Sequence, residues 1–131
     1  MNHRVVVTGL GIVSPIGIGV ENFWKNIQNG TCGISKIESF DTSNFKVKVA
    51  GEIKDYDPTE TINKKDAKRM DRFTHFAITA SKLAVEDASL EIAEHNAEKV
   101  GIYLGNGIGG LITIEETAAK MMEKEIGRAH V

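Results

Sequence analysis

A glycine-rich stretch at residues 105–110, Gly-Asn-Gly-Ile-Gly-Gly, has the G-x-G-x-x-G spacing that cradles the pyrophosphate of a dinucleotide. That chemistry also needs a strand before the glycines and a later strand that ends in an acidic residue about 20 positions on. Residues 100–104 are typical of a strand, but Glu125 stands near the acidic position with no strand before it. The pattern therefore favours a tight turn that lets a helix pack closely on a sheet, with a dinucleotide-binding oxidoreductase as an alternative.

Five basic side chains lie at the start of a long predicted helix and could attract an acidic partner. They are Lys64, Lys65, Lys68, Arg69 and Arg72. On one continuous helix the last four share a face, because their spacing is i, i+3, i+4 and i+7. A solvated helix face is the ordinary explanation of such a charge run, but cations at a helix start oppose the helix dipole, which makes a partner role more plausible. The net charge of -2 and the lack of aromatic residues among the basic ones argue against nucleic acid.

Cys32 is the only cysteine, and no pairing with a histidine is recognisable in the sequence. It lacks a nearby histidine and a strand-to-helix turn that would expose its sulfur, so we interpret it as a structural or incidental thiol. His75, on the long helix, is expected to be half-buried and hydrogen-bonded. The four histidines are too scattered for a Cys/His metal cluster. The sequence therefore predicts no catalytic residue, no metal and no cofactor in this chain.

The elements that must position these residues alternate between strands and helices. In order, we predict a buried strand at residues 4–9, a glycine-rich turn, a helix at 20–29 stopped by Gly30, an edge strand at 46–49, a helix at 64–88, a strand at 100–104 and a helix after residue 110. The β-branched run at residues 4–9 shows no polar alternation, which is typical of a parallel strand covered on both faces. This order predicts an α/β fold.

The composition is that of an ordinary globular protein. Of 131 residues, 41% are hydrophobic and 26% are charged, so the chain is one domain or part of one. No apolar run approaches the roughly 20 residues that span a bilayer. We therefore expect a cytoplasmic protein that binds neither membrane nor nucleic acid.

Three ordered motifs resemble the β-ketoacyl-acyl-carrier-protein synthases of fatty-acid synthesis, particularly the elongating type called synthase II. The first is Arg-Val-Val-Val-Thr-Gly-Leu-Gly-Ile-Val-Ser-Pro-Ile-Gly at residues 4–17, followed by Trp24, Gly33-Ile34 and Phe40-Asp41. The second is Lys-Arg-Met-Asp-Arg-Phe at residues 68–73, and the third is the stretch at 105–110 leading to Glu115-Glu116. The resemblance extends over residues 4–124, nearly the whole chain.

The resemblance implies a thiolase-like fold, of which this chain would form the partial first half of an α-β-α-β-α layered condensing enzyme that pairs as a homodimer. Family members condense an acyl thioester with malonyl-acyl-carrier protein, with loss of CO₂, by means of one cysteine and two histidines. None of these three residues matches a position in this chain, and Cys32 does not fit the nucleophile motif. The resemblance therefore implies an acyltransferase fragment that is inactive alone.

Two binding roles are implied by position. The basic stretch before the Met-Asp pair helps the family to dock acyl carrier protein, which assigns that role to Lys65, Lys68 and Arg69, with Lys64 as a further member. The isoleucine of the glycine-rich loop borders the acyl pocket, so Ile108 would contact the growing chain and Gly107 would leave room for it.

The end of the sequence departs from the family. The last six residues, Ile-Gly-Arg-Ala-His-Val, resemble the translation of a sequencing adapter. We therefore expect the synthase segment to cover residues 1–124 and residues 125–131 to be a non-native tail. A polyketide-type ketosynthase and a non-catalytic module that binds an acidic partner are further alternatives. A truncated sheet leaves an unpaired edge, so the isolated chain is expected to be poorly soluble.

Overall fold

A computed structural model describes residues 3–123 of the chain. The elements, in order, are β1 (Val13–Ser14), β2 (Gly17–Ile18), α1 (Val20–Gln28), β3 (Ser35–Lys36), β4 (Val49–Ala50), a 3-10 turn at Pro58–Glu60, α2 (Lys64–Ala67), α3 (Arg72–Asp87), a 3-10 turn at Ala97–Lys99 and α4 (Leu111–Glu123). The non-native tail predicted at residues 125–131 lies outside the described residues.

Helix α1 begins and ends where the sequence predicts. A short antiparallel hairpin of β1 and β2 leads into it, and Gly30, with φ of 65°, ends it by donating its N–H to the Ile27 carbonyl at 3.0 Å. Its apolar side is only partly buried by the described residues, because Trp24 is 58% exposed. Nothing within residues 3–123 covers that face completely.

Helix α3 holds the N-terminal segment against an alanine stripe. Ala80, Ala84 and Ala88 recur every four residues and therefore share one helix face. Gly11 lies so close to this face that a Cβ atom built on it would be 1.8 Å from the Ala80 carbonyl oxygen, and one on Gly9 would be 2.4 Å from that of Ala84. Neither glycine has a positive φ. Glycine is therefore needed at both positions because the backbone lies so close to α3, and not because of a turn.

The helix predicted at residues 64–88 is two helices with a break between them. Asp71 adopts an extended conformation, with φ of -69° and ψ of 155°, and its carbonyl accepts the N–H groups of Thr74 and His75 at the start of α3. The His75 Nε2 atom lies 2.8 Å from the Ala67 carbonyl oxygen, which joins the two helices. His75 is thus half-buried and hydrogen-bonded, as predicted.

The best-buried polar group of the described residues is Thr79, in the middle of α3. Its side chain is 2% exposed, and its Oγ1 atom lies 2.8 Å from the Tyr56 hydroxyl and 2.6 Å from the Thr61 hydroxyl. Ile62 and Ala67 are also buried, so the small core sits where α2 and the turn at Pro58–Glu60 meet α3. A shared hydrogen-bond network of this kind fixes the register between the elements.

Replacing Thr79 by valine is expected to lower the free energy of unfolding by about 1 to 3 kcal/mol, because the isosteric change leaves two neighbouring hydroxyls without their partner. The measurement is the urea concentration at which a brief thermolysin pulse cuts half of the chain, made at a dilution that prevents association. Adding Tyr56→Phe to Thr79→Val should lower the free energy of unfolding little further, because the hydrogen bond between the two hydroxyls is already lost in Thr79→Val. An unchanged urea midpoint in Thr79→Val would contradict this role.

Both predicted parallel strands are wrong for the described residues. Residues 4–9 and 100–104 have no strand assignment, and their side chains are largely exposed: Val5 is 94% and Tyr103 96% accessible. A strand needs a neighbour to accept its backbone hydrogen bonds, and within residues 3–123 neither segment has one. The edge strand predicted at residues 46–49 lies further along the chain, at Val49–Ala50, where it pairs antiparallel with Ser35–Lys36.

The layered parallel sheet is therefore absent from the described part of the chain, which contains helices and two antiparallel pairs. No helix between residues 3 and 123 combines the length and apolar character needed to cross a membrane.

Candidate functional site

The basic cluster, defined as Lys64, Lys65, Lys68 and Arg69, occupies α2 and the turn after it. All four residues are exposed. Asn63 begins the helix by accepting the Lys65 N–H on its side-chain oxygen at 2.9 Å. Ala67 of the same segment is buried, while the four cations around it are exposed. The structure thus brings together every residue of the predicted docking set.

The charge of the basic cluster is only partly offset by its surroundings. Asp57 accepts hydrogen bonds from the Thr59 hydroxyl at 2.7 Å and from its N–H at 2.8 Å, which hold the pKa of the Asp57 carboxyl below its usual value. The charge of Lys64 adds a smaller lowering. Between residues 3 and 123 no carboxylate lies within 4.0 Å of a cationic nitrogen of the cluster. Its positive field is therefore available to a partner.

Arg72 does not belong to the basic cluster, which corrects the shared face predicted for a continuous helix. Its guanidinium carbon lies 5.9 Å from the centroid of the Tyr56 ring and 5.2 Å from that of Phe76. The same group donates a hydrogen bond to the Ile53 carbonyl. Because α2 ends at Ala67, the i+7 spacing no longer places Arg72 beside Lys65. Arg72 instead holds the chain around Ile53 against α3.

The glycine-rich loop at residues 105–110 contains glycines of different kinds. Gly109 has φ of 76°, and its N–H donates to the Asn106 side-chain oxygen at 2.9 Å, so backbone conformation requires glycine there. At Gly110 a Cβ atom would be 2.1 Å from the Asp71 Oδ2 atom, so close approach requires it. Gly105 and Gly107 face open space within the described residues.

Ile108 lies at the tip of the loop with 77% of its surface accessible. An exposed isoleucine beside an unobstructed Gly107 leaves room for a further group to contact both. The predicted acyl-binding pair therefore lies together on the surface of this part of the protein.

Asp71 and Thr113 are site residues that the sequence analysis missed. The Thr113 hydroxyl donates to the Asp71 Oδ1 atom at 2.5 Å, which joins the start of α3 to the first turn of α4. An aspartate before a helical stretch is a helix-start signal, so Asp71 could have indicated the break in the predicted helix. No local pattern could have paired it with a threonine 42 residues away.

Cys32 is exposed, and its sulfur lies 3.8 Å from the Ile34 carbonyl oxygen, a long and weak contact. It lines an open cavity of about 440 Å³ together with Asn22, Asn26 and Glu52. No histidine lines that cavity, so a general base beside this thiol is absent among the described residues.

Comparison with known proteins gives these surfaces a context. The profile of the family described as "Beta-ketoacyl synthase, N-terminal domain" matches residues 2–130. The 3-oxoacyl-[acyl-carrier-protein] synthase 2 of Staphylococcus aureus (strain COL) is 46% identical over 123 residues, which are 94% of this chain and 30% of that protein. The protein of the same description from Vibrio harveyi is 49% identical over 122 residues, 93% of this chain and 29% of its own length.

A solved structure described as the ishigamide ketosynthase/chain length factor has a similar backbone. Its TM-score is 0.75 at 28% sequence identity, over 92% of this chain and 30% of that one. The chain thus has the local fold of a ketosynthase, while it spans about 30% of the length of the curated relatives it matches.

Proposed function

The chain belongs to the beta-ketoacyl synthase family, and we propose that it acts as the N-terminal part of a 3-oxoacyl-[acyl-carrier-protein] synthase. The complete enzyme would condense an acyl thioester with malonyl-acyl-carrier protein in fatty-acid biosynthesis. In that reaction the malonyl group loses CO₂, its α-carbon forms a bond to the acyl carbonyl, and the enzyme thiolate leaves. The observation that carries this proposal is the identity of 46% to 49% to synthase 2 proteins along almost the whole chain.

In this proposal the chain contributes surfaces that bind the substrate, while the reacting side chains come from the rest of the enzyme. The basic cluster would dock acyl carrier protein, because residues 64–69 carry four exposed cations and one carboxylate, Asp66, and this excess of positive charge attracts an acidic partner. Ile108 and Gly107 would border the acyl chain, and their open, exposed positions support that role.

A ketosynthase that uses other acyl units, as in polyketide synthesis, is the second candidate function. The backbone similarity to the ishigamide ketosynthase/chain length factor favours it, although the sequence identity of 28% is lower than that to the synthase 2 proteins. The two functions differ in their acyl substrates, so a panel of acyl-carrier substrates separates them. In both candidate functions the loop at residues 105–110 would border the acyl chain and would need no nucleotide. Homodimer formation and a cytoplasmic location stay predictions.

The test is a hybrid synthase, defined as the Staphylococcus aureus synthase 2 in which residues 3–123 of this chain replace the matching segment. We expect the purified hybrid to form 3-oxoacyl product from acyl-carrier and malonyl-carrier proteins, because the segment supplies the scaffold and docking surface that the remaining residues need. Product formation is measured by mass spectrometry of the carrier-bound thioester.

The 131-residue chain alone serves as the control and should give no turnover, because the described residues hold no pair of nucleophile and base. A hybrid that unfolds cooperatively but forms no product would contradict the proposed function. Turnover by the isolated chain would contradict its assignment as a non-catalytic part.

A further inference from the structure

The carboxylate of Asp71 is used in an unusual way for a residue that precedes a helix. An aspartate at this position ordinarily accepts N–H groups from the first turn of its own helix. In this protein the Asp71 side chain makes no such bond to α3. Its Oδ1 atom instead accepts the Thr113 hydroxyl at 2.5 Å. The Asp71 carboxylate thus bonds to α4 instead of capping its own helix. Its role therefore goes beyond starting α3.

The second oxygen of the same carboxylate lies against the end of the glycine-rich loop. The Oδ2 atom of Asp71 occupies the space that a Cβ atom at position 110 would need, at 2.1 Å, and the Phe73 ring lies 3.8 Å from the same point. Gly110 therefore rests directly on the first turn of α3. One carboxylate oxygen thus lies against Gly110 and the other accepts the Thr113 hydroxyl, and we call this pair of contacts the Asp71 lock.

The Asp71 lock is close in sequence to both surfaces that have a role in the proposed function, the basic cluster and the glycine-rich loop. Arg69 of the basic cluster is two residues before Asp71, and Ile108 is two residues before Gly110. We propose that Asp71 is a positioning residue, which sets the place of the glycine-rich loop relative to the carrier-docking cluster through Thr113 and Gly110. The inference rests on the proposed function, because only a carrier-delivered acyl chain makes that relative placement matter.

The lock has a defined consequence for substrate selection. The docked carrier protein fixes where the acyl chain enters, and the loop fixes where Ile108 meets it. A loop that moves relative to the docking cluster changes the depth available to the acyl chain without changing the docking surface. Loss of the lock therefore alters discrimination between long and short acyl chains and leaves carrier affinity intact.

The experiment compares Asp71→Ala, Thr113→Val and the double variant in the hybrid synthase. We expect each single variant to change the ratio of kcat/KM between a long and a short acyl-carrier substrate by roughly threefold to tenfold, the range for loss of one hydrogen bond. The double variant should change it no further, because both replacements remove the same bond. Asp71→Asn, which keeps an acceptor oxygen, should restore much of the wild-type ratio.

Two further measurements separate positioning from general destabilisation and from docking. Hydrogen exchange of the amides at residues 105–113 should speed up in Asp71→Ala and Thr113→Val, whereas the Kd for carrier protein should stay unchanged. Thr117→Val, one turn further along α4, is the matched control and should alter none of these quantities.

Each other outcome overturns the inference. Unchanged exchange in both single variants would show that the bond does not hold the loop, and weakened carrier binding would make Asp71 a docking residue. Additive effects in the double variant would show that the two side chains act separately. Failure of the proposed function is distinguishable, because a folded but inactive wild-type hybrid still reports loop exchange.

Discussion

Replacing Lys65 and Arg69 by glutamate in the hybrid synthase is expected to weaken its binding of acyl carrier protein by roughly 30- to 100-fold. An exposed ion pair contributes up to about 1 kcal/mol, and each reversal exchanges an attraction for a repulsion, so two reversals amount to about 2 to 3 kcal/mol. The Kd is measured by fluorescence anisotropy of labelled carrier protein. The difference should shrink as salt rises, because both side chains are exposed.

The matched control reverses Lys25 and Lys46, two lysines that are exposed elsewhere on the surface, and gives the same net charge. Carrier affinity should then change little, because these charges lie outside the proposed docking surface. An equal loss in the control would show that total charge governs binding, and unchanged affinity after reversal of Lys65 and Arg69 would remove the docking role.

Replacing Gly11 by alanine is expected to lower the free energy of unfolding by about 3 kcal/mol or more, at the upper end of the range for overpacking. The new methyl group would begin 1.8 Å from the Ala80 carbonyl oxygen and 2.6 Å from the Ala84 nitrogen. Both are backbone atoms of α3, so relief requires the N-terminal segment to leave the helix. The urea midpoint of pulse proteolysis on the dilute chain measures the loss.

Gly30→Ala is the control for glycine replacement itself. Gly30 has φ of 65° and nothing within 4 Å of a new Cβ atom, so only backbone strain of about 1 to 2 kcal/mol is expected. A Gly11→Ala midpoint no lower than that of Gly30→Ala would contradict the close packing of the N-terminal segment on α3.

Local pattern was sufficient for several parts of this protein. Local pattern with a stop at Gly30 predicted α1, and His75 was predicted to be half-buried and hydrogen-bonded, as the structure has it. Three ordered motifs predicted the beta-ketoacyl synthase family, which the profile match and the synthase 2 relatives confirm. The exposure of the basic cluster could be predicted because charged side chains stay at the surface.

Other predictions failed where a contact depends on distant residues. The strand at residues 4–9 was predicted from its β-branched composition, but a strand also requires a neighbour, and within residues 3–123 none pairs with it. The helix predicted at residues 64–88 continued through Asp71, because the apolar residues keep their helical spacing across the extended conformation of that residue. Arg72 was assigned to the basic face for the same reason.

Sequence by itself determined the family, the helix-forming stretches and the exposed cations of this protein, because periodicity, capping residues and charge act over a few positions. Only the tertiary structure decided that Gly11 rests on Ala80 and that Asp71 meets Thr113. Those pairs are 69 and 42 residues apart, and their meeting depends on how whole helices pack, which no local spacing encodes.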